Sequence, residues 1–464
     1  MGATSRSSLP RPRPFRCPGS RLAVLALLAA ACTPPASPGS EGSGGRDNVV
    51  VILIDTLRAD HLGHHGYDRP TSPFLDELAA DHVSFTRAHG TAPHTVPSVL
   101  SLWSATYPAR HGNQYYPGLD SFEAGKLRMP PSVPGALPLL AELFRERGYG
   151  TAAVVTNPWL QADWGFDRGF DEYRFMADAV AADVNRAALE VLDALSPEEP
   201  FLLYLHYMDV HTPYQSPDAI RDAFTQGMTG RQVYANGPFP GLTEEDLHYT
   251  EACYDASIRG LDEALKRLFA ELRERDLADS TLFAIVSDHG EEFGDHGGLG
   301  HGTTLYGELL KVPLVFVHPD LARNPREIDV PVSVVDVLPT LLELTDTPAP
   351  GGMMGRSLVP LIDGRDAPDE PWARPVYGEL ADFKSVQSGH RKLIHDLDED
   401  RWQVFDLAAD PGEERPLEEH PPWAAALQAQ LAAFLEETEA VPLERGAAIP
   451  EGSEIEERLR AVGY

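Results

Sequence analysis

Hydrophobic and polar positions alternate along this chain with two different periods. Short β-branched runs bounded by polar residues predict buried strands at Val49–Ile54, Thr151–Val155, Phe201–His206, Leu282–Val286 and Val312–Val317. Between them, helical spacing predicts helices at Ser72–Ala80, with Pro73 near its start, and at Pro97–Ser104, Leu137–Arg147, Leu247–Leu277 and Val334–Leu344. Strands alternating with helices imply an α/β fold, a mostly parallel sheet covered on both faces. Residues 212–247 are rich in Pro, Gly and polar residues, which predicts a long irregular insertion of the kind that shapes a substrate entrance. From about Asp366 the character changes. Short strands at Val376–Leu380, Lys392–His395 and Gln403–Phe405, then a helix at Trp423–Glu437, predict a small α+β subdomain over 366–464 beside a core over 48–365.

Two of the apolar runs stop on acids. Val49–Ile54 stops on Asp55, and Leu282–Val286 runs through Ser287 into Asp288-His289-Gly290-Glu291. In a parallel α/β sheet, ligands collect just past the carboxyl ends of the strands. Two acids and a histidine brought together there suggest a metal site and hence a metalloenzyme.

The net charge of −33 is extreme for a globular chain. Such a surface repels nucleic acid and anionic lipid at long range, so nucleic acid is excluded as a partner. An anionic substrate then needs local positive charge, which a metal supplies. Three cysteines (Cys17, Cys32 and Cys253) give no disulfide framework, and Cys253 sits in an apolar-periodic run as a small buried residue.

The first 31 residues are basic and proline-rich and then carry the apolar core Leu22–Ala31, too short to span a bilayer. This is the pattern of a secretory signal peptide. Its end, Leu28-Ala29-Ala30-Ala31-Cys32, resembles a bacterial lipobox, with Ala29 where leucine is usual. That resemblance implies acylation of Cys32, a lipid anchor in a membrane and an exported cell-envelope location. Residues 32–47 then form a flexible tether with a span of about 20 Å.

In Ala92-Pro93-His94-Thr95-Val96-Pro97-Ser98, a threonine precedes a proline near a helix start. Thr95 reads either as an ordinary cap or as a hydroxyl in the positive end of the helix dipole, where an anion is favoured. A metal on the same oxygen would make it a nucleophile.

Asp55-Thr56-Leu57-Arg58-Ala59-Asp60-His61-Leu62-Gly63 and the Thr95 segment ending in Tyr107-Pro108-Ala109-Arg110-His111-Gly112 resemble the sulfatase family. So do His206-Tyr207-Met208-Asp209-Val210-His211-Thr212-Pro213-Tyr214, Ser287–Glu291, Asp336-Val337-Leu338-Pro339-Thr340-Leu341 and the tail Leu459–Tyr464. The resemblance spans nearly all of 48–464. It implies the alkaline-phosphatase-like fold, an α/β/α sandwich with a small C-terminal α+β subdomain.

Two departures stand out. The family oxidises a cysteine or serine to formylglycine in a Cys/Ser-x-Pro-x-Arg context, whereas this chain has Thr95, Pro97, Ser98 and Val99. A secondary alcohol cannot give an aldehyde, so that modification is excluded at Thr95. The family's calcium-binding members also pair two aspartates, then Asp-Asn; here the pairs are Asp55-Thr56 and Asp288-His289. An imidazole among few ligands favours zinc or manganese over calcium. Both changes resemble the phosphoethanolamine and lipoteichoic-acid-type transferases and the nucleotide phosphodiesterases, which use a metal-bound threonine. Gly300-His301-Gly302 follows Asp288 with matching spacing.

By position, the resemblance places Asp55, Thr95, Asp288 and His289 on the metal, with Thr95 as the catalytic nucleophile. It places His211 and His301 where the anion's oxygens are bound or the leaving group is assisted, or on a second metal. Asp209 either orients His211 or joins that second site. Arg58 and Asp60 fall in the layer behind the ligands, and His296 and His111 read as structural. The leading expectation is a metal-dependent hydrolase of phosphate mono- or diesters. A sulfuric ester hydrolase without formylglycine, a phospho-headgroup transferase and a non-catalytic binding lipoprotein follow in that order.

Overall fold

In the computed structural model, residues 47–113, 132–196, 199–234, 241–365 and 374–438 are described. The signal segment, Cys32, nearly all of the tether, the 365/366 boundary and the tail after residue 438 lie outside them.

Strand β1 (Asn48–Ile54) is buried along its whole apolar run. Val49, Val51 and Leu53 enter one core, while Val50, Ile52 and Ile54 enter another. Side chains alternate across a strand, so an unbroken apolar run means that both faces of the sheet are covered.

The other strands of this sheet are β2 (Val83–His89), β3 (Gly150–Val155), β4 (Glu172–Phe175), β5 (Phe201–Tyr207) and β6 (Thr281–Val286). After the β7–β8 hairpin (Glu292–Phe293 and Leu299–Gly300) come β9 (Lys311–Val317), β10 (Arg326–Ile328) and β11 (Val332–Ser333). Among the described residues the order is β10-β2-β9-β6-β1-β5-β3-β4, with β11 also on β2. β9 alone runs antiparallel, against both β2 and β6. The chain leaves β6 at its carboxyl end, passes through the hairpin at that same edge and returns as β9 without a crossover helix. Residues 287–310 therefore stay at the edge where the acids lie.

Helices α1 (Pro73–Asp81), α2 (Thr95–Ser104), α3 (Leu140–Glu146), α4 (Ala181–Ala194), α5 (Glu244–Glu274) and α6 (Val337–Leu344) cover the two faces. α2, α3 and α6 pack on one face; α1, α4 and α5 pack on the other. Cys253 is buried in the second core. The C-terminal part is an antiparallel sheet ordered β12 (Val376–Leu380), β13 (Phe383–Ser388), β14 (Arg391–Asp396), β15 (Arg401–Asp406), with α7 (Pro422–Glu437) packed on it.

Several elements differ from those the spacing predicts. β2, β4, α4 and β13 are additional. β13 buries Lys384, Ser385 and Gln387, with Lys384 paired to Glu379 at 3.0 Å, so hydrophobic alternation does not mark it. Residues 212–247 are not wholly irregular: a short helix covers Asp218–Phe224 and α5 begins at Glu244. The short helix buries none of its residues, which leaves no apolar stripe to read.

Candidate active site

The site is built at the carboxyl edge of the sheet, where β1, β3, β5 and β6 deliver their following residues. Asp55, Asp288 and His289 are fully buried and form the one group, among the described residues, of acids and imidazoles close enough to share an ion. Asp55 Oδ1 and Asp288 Oδ2 have no hydrogen-bond partner and lie 3.7 and 3.5 Å from His289 Nε2. Leaving a buried carboxylate oxygen unpaired costs on the order of several kcal/mol. Two such oxygens and an imidazole nitrogen converging on one point fit a divalent cation.

The backbone arranges this convergence. Asp288 Oδ1 accepts from the N–H groups of Thr56 (3.3 Å) and His289 (2.9 Å), which turns Oδ2 inward. His289 Nδ1 lies 2.9 Å from the Gly290 carbonyl, so its proton sits there and the Nε2 lone pair faces the carboxylates. Burial and the neighbouring His301 push His289 down to about 3, which keeps it neutral and able to ligate. Burial and the charge of Asp55 push Asp288 well above the usual carboxylate range. Burial would raise Asp55 as well, but the His206 hydrogen bond and the surrounding imidazoles hold it below that range. A divalent cation relieves the repulsion between the two acids.

Thr56 adopts φ 58°, a left-handed conformation that β-branched residues avoid at a cost of about 1–3 kcal/mol. It is held by its N–H on Asp288, its hydroxyl on the Val210 carbonyl (2.9 Å) and its own carbonyl accepting from Tyr254 Oη (2.8 Å). Gly90, just past β2, is a close approach: a Cβ there would lie 2.2 Å from the Asp288 carbonyl oxygen.

Thr95 is the first helical residue of α2, and His94 occupies the cap position without a side-chain cap bond. The capping role is therefore not what Thr95 performs. Ser98 secures the turn instead, accepting from the Ala92 N–H (3.1 Å) and donating to the Ala92 carbonyl (2.8 Å). Thr95 Oγ1 is buried, 3.4 Å from Asp55 Oδ2 and 3.4 Å from His289 Nε2.

Asn157, two residues past β3, donates from Nδ2 to Asp55 Oδ2 (2.7 Å) and to Thr95 Oγ1 (3.2 Å). His206 Nε2, on β5, lies 3.3 Å from Asp55 Oδ2. Neither carries a role in the sequence reading. Asn157 follows a predicted strand, so the strand-end rule points at it, but a lone amide gives no charge signal. His94 faces His289 and His301, with ring centroids 6.4 and 6.0 Å away.

His301 and His211 stand beside the cluster. The His301 ring is 4.7 Å from that of His289 and 5.0 Å from that of His211. His301 Nδ1 pairs with Glu291 Oε1 at 2.8 Å, and Glu291 Oε2 accepts from Tyr214 Oη at 3.1 Å. Burial raises Glu291 to about 7 and lowers His301 to about 4, so near neutrality the imidazole is neutral and the carboxyl partly protonated.

His211 Nδ1 meets the Thr212 carbonyl at 2.5 Å, so that carbonyl orients the ring. Asp209 instead accepts from the Ala181 N–H at 2.9 Å through Oδ1, and its Oδ2 has no hydrogen-bond partner. Burial pushes Asp209 up to about 6.

Arg58 uses all five of its donors. It meets both oxygens of Asp60, both of Asp295, and the Glu291 carbonyl, at 2.8–3.0 Å. It has no donor left for an anion, and Asp60 has both oxygens on Arg58. The pair fastens residues 291–295 to the segment after β1, and neither Asp60 nor Asp209 belongs to the ion-binding group.

His111 and His296 have structural partners. His111 Nε2 lies 3.0 Å from Ser101 Oγ, and His296 bridges Glu308 Oε1 and the Glu413 carbonyl.

A family model described as Sulfatase matches residues 47–347. A second, described as N-sulphoglucosamine sulphohydrolase, C-terminal, matches residues 294–440. An arylsulfatase of Clostridium perfringens is 22% identical over 444 residues, covering 79% of this chain and 89% of its own. A delta 4,5-hexuronate-2-O-sulfatase of Bacteroides thetaiotaomicron is 24% identical over 82% of this chain and 86% of its own. Among solved structures, a phosphonate monoester hydrolase of Agrobacterium radiobacter superposes with a TM-score of 0.67 at 18% identity, covering 84% of this chain and 95% of its own. A protein solved with its substrate D-glucosamine-2-N,6-O-disulfate gives a TM-score of 0.70 at 16% identity, over 85% and 97%.

Proposed function

Because the chain belongs to the sulfatase family, whose members hydrolyse sulfate or phosphate esters, we propose that it cleaves phosphate mono- or diesters with Thr95 as nucleophile. The observation that carries this reading is Thr95 Oγ1, equidistant at 3.4 Å from Asp55 Oδ2 and His289 Nε2, beside the unpaired oxygens of Asp55 and Asp288. Asp55, Asp288, His289 and Thr95 would hold the ion, with zinc or manganese favoured over calcium by the imidazole. A divalent cation bound there supplies Lewis acidity and lowers the pKa of a neighbouring hydroxyl.

The chain's own groups do the rest. Asn157 Nδ2 donates to Thr95 Oγ1 and leaves the hydroxyl proton directed at Asp55 Oδ2. The start of α2 favours the anion. Oγ1 passes its proton to Asp55 Oδ2 as it attacks phosphorus, the bond to the alcohol oxygen breaks, and a phosphothreonine forms. His301 Nε2 gives a proton to the departing oxygen while Nδ1 takes one from the Glu291 carboxyl. Water then attacks the phosphothreonine, giving a proton to His301 Nε2, the bond from phosphorus to Oγ1 breaks, and Thr95 takes its proton back from Asp55. His211, whose ring lies 5.0 Å from that of His301, binds an oxygen of the anion beside it.

A second reading, sulfate ester hydrolysis at the same site, is favoured by the sulfatases among the relatives. The two separate in one panel. Protein reconstituted with zinc, manganese or calcium is given 4-nitrophenyl phosphate, bis(4-nitrophenyl) phosphate and 4-nitrophenyl sulfate. Turnover of the phosphates above the sulfate supports the first reading; the reverse order replaces it with the second. Thr95→Ala lowers kcat by about a thousandfold or more with the far-UV spectrum unchanged. Wild-type rates in that variant would remove Thr95 from the chemistry.

A further inference from the structure

Beside the cluster lies a narrow slot lined by His211, Thr212, Asp209, Phe175, Val180 and Met208, among others. Thr156 and Pro158, on either side of Asn157, also line it, so with His211 it lies against the segments that carry the reaction centre. It encloses about 480 Å³ counting its mouth, but only about 30 Å³ admits the centre of a water molecule. That is room for about two or three water-sized groups.

The slot has a distinct chemistry. Its walls are largely apolar. Its floor carries two polar atoms that are buried and without hydrogen-bond partners, Asp209 Oδ2 and Thr212 Oγ1. Among the described residues lining it there is no Lys or Arg, while Asp178 and Asp209 both line it. A second acidic group would be repelled there, and a purely apolar one would leave a buried carboxylate oxygen unpaired. A hydrogen-bond donor, cationic above all, satisfies it. The other oxygen of Asp209 is already engaged on the Ala181 N–H, so Oδ2 is fixed in place. The slot continues past Asp209 and Gln215 into a wider hollow between α4 and α5, which gives the rest of a ligand a way out.

We propose that the slot receives the terminal substituent of the ester's alcohol side and that Asp209 Oδ2, with Thr212 Oγ1, accepts a hydrogen bond from an ammonium or hydroxyl group there. This rests on the ester-hydrolase reading and adds a specificity residue to it: Asp209 selects an amino or hydroxy alcohol and rejects one bearing a second anion.

The test compares two aryl esters with the same reacting group, 4-(aminomethyl)phenyl and 4-methylphenyl, on metal-reconstituted enzyme. The wild type favours the aminomethyl ester in kcat/KM by about tenfold or more, chiefly through KM. Asp209→Asn keeps the Oδ1 acceptor that caps Ala181 and replaces Oδ2 with a donor, so the ratio falls to near unity. Thr212→Val lowers the ratio by a smaller factor. A wild-type ratio of one, or a ratio retained in Asp209→Asn, overturns the proposal. Turnover of neither ester by the wild type would overturn the hydrolase reading instead. The slot is then judged by calorimetry: 4-(aminomethyl)phenol must bind more tightly than 4-methylphenol, and lose that advantage in Asp209→Asn.

Discussion

Asn157 touches both the Asp55 carboxylate and the Thr95 hydroxyl, the proposed nucleophile, through one amide nitrogen. Groups that orient ligands from behind are worth about 10–100-fold in metal affinity or activity. Asn157→Ala is therefore expected to lower kcat by about that factor while the melting midpoint falls only slightly; steady-state kinetics beside a thermal scan checks it. An unchanged kcat would mean that Asp55 and Thr95 hold their geometry without the amide. At this scale the sequence is legible where charge follows an apolar run. Asp55, Asp288 and His289 stand out because acids directly after β-branched runs have no reason to be there unless a ligand collects them. His206 is hidden because it lies within a strand, where a histidine reads as core. Asn157 is hidden because an uncharged amide after a strand resembles any turn residue. Arg58 misleads in the opposite direction, since a cation beside an anion site invites a binding role and only the geometry shows its five donors already engaged.

Between elements, an ion held by Asp55, Asp288 and His289 would join the ends of β1 and β6, which otherwise meet through two acids. Removing the ion with a chelator is expected to stop turnover and lower the melting midpoint together, and zinc or manganese should restore both. A ligand present at a hundredfold over its Kd adds about 2.7 kcal/mol. Turnover unaffected by exhaustive chelation would show that the three groups hold no ion. His296 makes a second junction. It ties the loop of the β7–β8 hairpin to Glu308 and to the C-terminal part through Glu413, at 2.7 and 3.0 Å. Burial would lower its pKa, but the Glu308 hydrogen bond and charge outweigh that and raise it to about 9. A raised imidazole stabilises the fold fully below its unfolded value near 6.5 and loses that contribution as pH rises through about 9. After allowance for solvent screening, the effect is about 1–2 kcal/mol. The midpoint gap between wild type and His296→Gln should be full at pH 6 and close by pH 10. A gap that persists at pH 10 would mean that packing, not charge, makes the contact. The sequence foretells such junctions poorly. β13 is silent because it buries polar residues, whereas β1 and β6 announce themselves because they bury unbroken apolar runs.

For the molecule as a whole, the α/β sandwich follows from alternating periods, and β9 is the exception that repetition of βαβ units does not foresee. Its reversal is decided by the short hairpin holding His301 at the sheet's carboxyl edge, a tertiary demand that no local pattern encodes. Among the described residues no helix is long and apolar enough to cross a membrane. The net charge of −33 works against adhesion to anionic lipid headgroups, since each basic contact worth about 1 kcal/mol is outnumbered by acids. We propose that association with a membrane, if it is to be stable, runs through acylation of Cys32, which lies outside the described residues. The two routes respond differently to salt. An electrostatic attachment weakens as ionic strength rises, because screening shortens to about 3 Å at 1 M, whereas an acyl anchor does not. Wild-type protein expressed with its own N-terminus should stay in the membrane fraction through a 1 M salt wash, and Cys32→Ser should move to the soluble fraction with its ester turnover intact. Retention of Cys32→Ser on the membrane would remove the anchor, and with it the cell-envelope tether, while leaving the chemistry at Thr95 untouched.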